Sequence, residues 1–157
     1  MGLVESVKTE RVCDLPWREA AMLGEDASVA SAIEQMRAKQ IGCAFVVDEM
    51  GRPLGFFTER KVIELLASGY ENLDDIQVNE HLDEAWFSVN QNAPLCDAVD
   101  AIQRRHARFL CVTDDEGRAL GLTGQKGFAE YVAEHFPQQV MVQRVGGKPG
   151  LETREGA

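Results

Sequence analysis

The chain repeats itself. Residues 28–66, SVASAIEQMRAKQIGCAFVVDEMGRPLGFFTERKVIELL, align without a gap on residues 94–132, PLCDAVDAIQRRHARFLCVTDDEGRALGLTGQKGFAEYV, an offset of 94 − 28 = 66. Asp48, Gly51, Arg52, Leu54 and Gly55 fall on Asp114, Gly117, Arg118, Leu120 and Gly121, and apolar positions such as Val29 with Leu95 and Ile33 with Val99 match more widely. Upstream, AAMLGEDA at 20–27 falls on WFSVNQNA at 86–93. A self-similar unit of this length has too few strands to cover its own helices, so the two copies are expected to pack on each other.

Each copy reads the same way. Val29, Ile33, Met36 and Ile41 recur at helical spacing and predict a helix over 28–40 with one buried stripe, Ser28 serving as its N-cap. CAFVVD predicts a short strand, DEMGRP a hairpin turn with the glycine it needs, and LGFFT the returning strand. A second helix, ERKVIELLASG, then starts at a Thr58 cap and stops at Gly69. The second copy predicts a helix over 94–106, strands over 109–113 and 119–123, and a helix from about 125 to 136 ended by Pro137. With a short opening strand at 20–23 or 86–89, the fold class is α+β: two pseudo-symmetric β-α-β-β-α units packed sheet to sheet as one module. The predicted division is unit one over 10–69, a linker over 70–85, unit two over 86–137 and a partly mobile tail over 138–157. Leu73, Ile76, Val78 and Leu82 are the expected anchors of the linker, and NEHLDE at 79–84 a capped helical turn within it.

Composition removes several function classes. Sixteen basic against 26 acidic residues leave a net charge of −10, which repels a polyanion, so no nucleic acid partner is expected. No apolar run approaches the ~20 residues that span a bilayer, so no membrane partner is expected. MGLVESVKTER lacks the apolar segment of a secretory signal, which makes a cytoplasmic location the expectation. Cys13, Cys43, Cys96 and Cys111 form no CxxC pair and are read as reduced core residues. No nucleophile triad, paired-carboxylate motif or metal-ligand spacing stands out, and the chain is not expected to be an enzyme or to require a cofactor.

The paired unit, with VVDEMGRPLGFFTER in one half and CVTDDEGRALGL in the other, resembles a tandem pair of CBS domains, the cystathionine-β-synthase regulatory module. The resemblance covers about residues 10–136, and YVAEHFP at 131–137 is similar to the segment that closes many stand-alone bacterial pairs. It implies a non-catalytic regulator that senses adenine nucleotides or related adenosyl ligands between its units, forms a homodimer, and acts in trans on a regulated protein. The alternative is a structural association module whose ligand cleft is vestigial.

The family's nucleotide turn resembles G-h-x-T/S-x-x-D, in which the hydroxyl and the helix amides hold phosphate and the aspartate accepts both ribose hydroxyls. Copy one supplies Gly55, Phe56 and Thr58, but Lys61 stands at the aspartate position; copy two supplies Gly121 and Leu122, but Gly124 replaces the hydroxyl and Gly127 the aspartate. Lysine has three donors and no acceptor, so it cannot imitate a carboxylate that clamps a diol. Losing such an acceptor costs roughly 1.5–3 kcal/mol, ten- to over a hundredfold in affinity, so binding of an adenine nucleotide is expected to be weak or atypical and carried by the phosphate. The implied ligand-binding residues are Gly55, Thr58, Arg60 and Lys61 in copy one, Gly121 and Lys126 in copy two, and Arg108, with His106 nearby, just before a strand of the second copy. Thr58 also reads as a simple helix cap, and Arg60 and Lys61 as a solvated helix face.

Overall fold

In the computed structural model, which describes residues 2–83 and 85–138, each copy of the repeat builds one three-stranded sheet. In the first copy β1 (Ala21–Leu23) runs parallel to β2 (Cys43–Val47), which pairs antiparallel with β3 (Pro53–Thr58). The second repeats the arrangement with β4 (Ser88–Asn90), β5 (Phe109–Thr113) and β6 (Ala119–Gly124). The register even breaks at the equivalent place, between Val46 and Val47 and between Val112 and Thr113. Helices α2 (Val29–Lys39) and α3 (Glu59–Ala67) belong to the first copy, α4 (Leu95–Arg104) and α5 (Gln125–His135) to the second. The predicted element order therefore stands, with boundaries moved by at most two residues at either end of every helix and strand in the aligned repeat.

The repeated D-x-x-G-R has a physical cause. The Asp48 carboxylate accepts from the amides of Met50 (2.8 Å) and Arg52 (2.9 Å). Asp114 does the same for Glu116 (3.0 Å) and Arg118 (2.8 Å). Gly51 and Gly117 take φ of 79° and 80°, a left-handed conformation that a side chain would strain. The two hairpin tips also meet, since the Ala119 amide donates to the Gly51 carbonyl at 2.9 Å.

Burial is divided among three clusters. Val29, Ala32, Met36, Val46, Phe57 and Leu65 fill the first unit, and Leu95, Ala98, Leu110, Val112 and Tyr131 fill the second. The third joins the sheets: Phe45 and Phe56, stacked with ring centres 4.7 Å apart, lie with Cys43 and Ala20 against Cys111 and Leu122 of the other unit. Each such large apolar side chain removed from water contributes about 1.5–3 kcal/mol, so this shared layer binds the copies into one body. Trp86 and Phe109, partly buried, pack on it.

Two features depart from the sequence reading. An unforeseen helix, α1 (Leu3–Thr9), packs on the second copy: Leu3 and Val7 lie against that unit's core, and Val12 and Leu15 are within it. In exchange, Leu73, Ile76, Val78 and Leu82 anchor the linker on the first copy as expected, with a 3₁₀ turn at Val78–His81. The cysteines also divide. Cys43 and Cys111 are fully buried, whereas Cys13 is exposed and Cys96 half-buried, because Cys13 is turned to solvent between the buried Val12 and Leu15 and Cys96 is off the buried stripe of α4. Of the expectation for the tail, all beyond Gln138 lies outside the described residues.

Candidate functional site

The two strand-to-helix turns singled out in the sequence are each covered by a segment from outside the aligned repeat, the linker over copy one and the N-terminal segment over copy two. Over copy one lies Asp83: its amide donates to the Phe56 carbonyl at 2.7 Å, and its carboxylate accepts the Thr58 hydroxyl at 2.6 Å. Leu82 leans on Gly55 so closely that a Cβ there would stand 2.8 Å from its Cδ1. Thr58 occupies the N-cap position of α3 but makes no side-chain cap bond, because its hydroxyl is turned to Asp83. Arg60 and Lys61 pair with Glu64 at 2.9 and 3.1 Å. The hydrogen bond and charge of Glu64 first, and Asp83 after them, hold the Arg60 guanidinium above its ordinary pKa. Copy one's cationic cluster is thus largely compensated by carboxylates of its own chain.

Over copy two lies the segment Pro16 to Arg18. Arg18 exchanges backbone hydrogen bonds with Leu122, both 2.8 Å, and Thr123 donates its hydroxyl to the Pro16 carbonyl at 3.0 Å. A Cβ on Gly127 would sit 2.5 Å from that same carbonyl, and one on Gly124, whose φ is 151°, would sit 2.2 Å from the Arg108 carbonyl. Neither position has room for the residue that the family pattern calls for. Gly121 is covered by the Trp17 ring, 2.5 Å from where its Cβ would be.

Between the units runs a cleft of about 790 Å³. One wall comes from α2 and the start of α3, with Ile33, Met36, Val62 and Ile63; the other comes from Phe109 and Leu122 and the turn into α5. Among the described residues four cations line it, Arg18, Arg37, Arg108 and Lys126, against one carboxylate, Glu59. In a chain of net charge −10 that is a local reversal of sign, and in a low-dielectric recess it focuses attraction for an anion. Arg18 is tied to Glu130 at 3.0 Å, and Lys126 reaches the same oxygen only at 3.9 Å. Arg108 lies over the Phe109 ring, 5.1 Å from its centre; neither it nor Arg37 has an ion pair among the described residues.

Of the residues implied by the sequence, Arg108 and Lys126 line this cleft, as do Gly124 and Gly127; Gly55, Thr58, Arg60, Lys61, Gly121 and His106 do not. Arg18, Arg37 and Glu59 escaped the sequence reading. Glu59 directly follows Thr58 and was within sight of the motif, but Arg18 reaches the cleft only through the crossing of the N-terminal segment, which no local pattern encodes.

Residues 12–68 match the family model of the CBS domain. An uncharacterized protein of Methanopyrus kandleri is 26% identical over 88 residues, which span 56% of this chain and 45% of that protein, so the match takes in about half the length of this relative. A CBS domain protein from Pyrobaculum aerophilum, solved in complex with AMP, has the same fold: TM-score 0.69, 17% identity, 88% of this chain and 100% of that one covered. A CBS domain-containing protein of unknown function from Bacillus anthracis gives a TM-score of 0.71 at 12% identity, covering 84% and 99%.

Proposed function

We propose that this chain, a tandem CBS-domain module, is a non-catalytic regulator that binds a phosphate-bearing ligand, an adenine nucleotide or a compound like it, in the cleft between its units. The observation that carries this reading is the gathering of Arg18, Arg37, Arg108 and Lys126 around apolar walls in an otherwise acidic protein. Cations supply the phosphate contact, and Met36, Ile41 and Phe109 offer a surface for a flat ring. The AMP held by the Pyrobaculum protein supports the ligand class. The output proposed is association: Ile63 and Leu66 stand 66% and 54% exposed on α3, which supports a homodimer, and the module is proposed to be cytoplasmic and to act in trans on a regulated protein. The division proposed is unit one over 10–69, linker 70–85 and unit two over 86–137, with the segment before 20 packed on unit two.

The covers favour a second reading for copy one. Asp83 against Thr58 opposes an anion at Gly55, Thr58, Arg60 and Lys61, so that turn is a closed position in which the structural role has replaced binding. If the cleft of copy two is vestigial as well, the protein is an association module only.

A thermal-shift series separates the two. AMP, ATP, S-adenosylmethionine and inorganic polyphosphate are added to the wild type and to an Arg108→Ala/Lys126→Ala double variant. A ligand at a hundred times its dissociation constant adds about 2.7 kcal/mol to stability, a shift expected in the wild type and absent from the variant. No shift with any of them at millimolar concentration overturns the sensor reading in favour of the association module.

A further inference from the structure

We propose that Glu59 is a specificity residue of the cleft: its carboxylate accepts hydrogen bonds from the donor-bearing end of a phosphate ester whose anionic end is held by Arg108 and Lys126. This rests on the reading of the cleft as an anion site. Equivalent residues of the two copies line the same recess, Gly42 with Arg108 (108 − 42 = 66) and Glu59 with Gln125 (125 − 59 = 66). The cleft therefore lies across the pseudo-two-fold relation of the repeats, and its symmetry is broken by charge. Arg108 marks one pole and Glu59 the other.

The surroundings of the carboxylate give it this task. Both turns have lost the aspartate that would clamp a diol, Lys61 and Gly127 standing in its place, and Pro16 leaves no room for it at 127. Among the described residues Glu59 is the one carboxylate that lines the cleft. Its side chain occupies space that a residue at 42 would otherwise take: a Cβ on Gly42 would lie 3.1 Å from Glu59 Oε2. The Glu59 amide donates to the Gly42 carbonyl at 3.1 Å, fixing the first residue of α3 beside that glycine. Among the described residues Glu59 has no ion pair, so both oxygens are free to accept. An unneutralised carboxylate in an anion cleft repels the phosphate unless the ligand offers donors at that end. A vicinal diol and an exocyclic amine both meet the requirement.

The competing explanation is that Glu59 merely suits the positive end of the α3 dipole. It predicts the opposite sign, since removing a negative charge from an anion site then raises affinity for every anion.

The experiment is calorimetric titration of the full chain with AMP, IMP, 2′,3′-dideoxy-AMP and inorganic phosphate, on the wild type, Glu59→Ala and Arg108→Gln. Glu59→Ala is expected to weaken AMP about tenfold and to strengthen inorganic phosphate. One analogue, IMP if the amine is held or the dideoxy compound if the diol is, should bind the wild type about tenfold more weakly than AMP and lose nothing further in Glu59→Ala. Glu59→Ala binding AMP as well as or better than the wild type overturns the role of Glu59 while leaving the cleft standing. Absence of binding by all four probes to the wild type, or AMP binding unaffected by Arg108→Gln, overturns the cleft reading and this inference with it.

Discussion

The hydroxyl of Thr58 donates to the carboxylate of Asp83 at 2.6 Å, so the linker places an anion of its own at the start of α3. That bond, the adjoining amide of Asp83 on Phe56 and the lean of Leu82 on Gly55 tie the linker to the first sheet. Asp83→Ala leaves a nearly buried hydroxyl, on a residue 9% exposed, without its acceptor. The expected loss is about 1–3 kcal/mol, read as a lower urea midpoint with an unchanged slope. An unchanged midpoint would mean that water replaces Asp83 without cost.

Gly127→Asp restores the residue type of the family's turn and tests whether the turn can accept it. The new Cβ would meet the Pro16 carbonyl and Thr123 Oγ1, each 2.5 Å away, and one of these is backbone that is pinned by the Arg18–Leu122 pairing. Overpacking of this kind costs about 1–3 kcal/mol. The variant is expected to melt lower and to gain no affinity for AMP; a variant as stable as the wild type that binds AMP more tightly would show that the cover lifts freely.

How much of this was readable in advance follows from the range of each interaction. Asp48 and Gly51 act within one turn, and their repetition at Asp114 and Gly117 placed the strands and hairpins correctly. Leu73, Ile76 and Val78 were legible as anchors because apolar residues in a polar stretch need a partner. The exchange of segments was not legible: Pro16 and Asp83 lie far in sequence from Gly127 and Thr58 only in the first case, and in neither does spacing say which turn is covered. Gly124 and Gly127 were visible as departures, but whether they marked a lapsed site or a close approach depended on the Arg108 and Pro16 carbonyls.

Alkaline pH should destabilise the protein. Burial, with Cys111 next, pushes the Cys43 thiol from 9.0 up to about 12, and burial pushes Cys111 to about 12. Burial and then the hydrogen bond to Glu10 push the Tyr131 phenol from 10.0 up to about 12. In each case the folded state holds its proton in a range where the unfolded chain releases it. Stability is therefore fully present below about pH 9 and falls as pH rises towards about 12. Urea midpoints at about pH 8 and 10.5 are expected to show the fall, and Tyr131→Phe should reduce it above about pH 10 while leaving the thiol contribution. A midpoint constant over that range would contradict the burial of all three groups.

Helix α2 has the side-chain cap that α3 lacks: Ser28 Oγ accepts from the Ser31 amide at 3.1 Å. The same residue is held from outside, since on one side the Val29 amide donates to the Ile76 carbonyl at 2.8 Å and on the other the Ala27 carbonyl accepts from the Val78 amide at 2.9 Å, which fixes the linker across the helix start. The cap and the linker contact are separable because only the first uses the serine side chain. Ser28→Ala removes the acceptor and is expected to cost about 1 kcal/mol, whereas Ser28→Gly, which lets water reach the freed amides, should cost only a few tenths. Equal losses in both variants, measured by urea unfolding followed by circular dichroism, would assign the effect to packing against the linker and not to the cap.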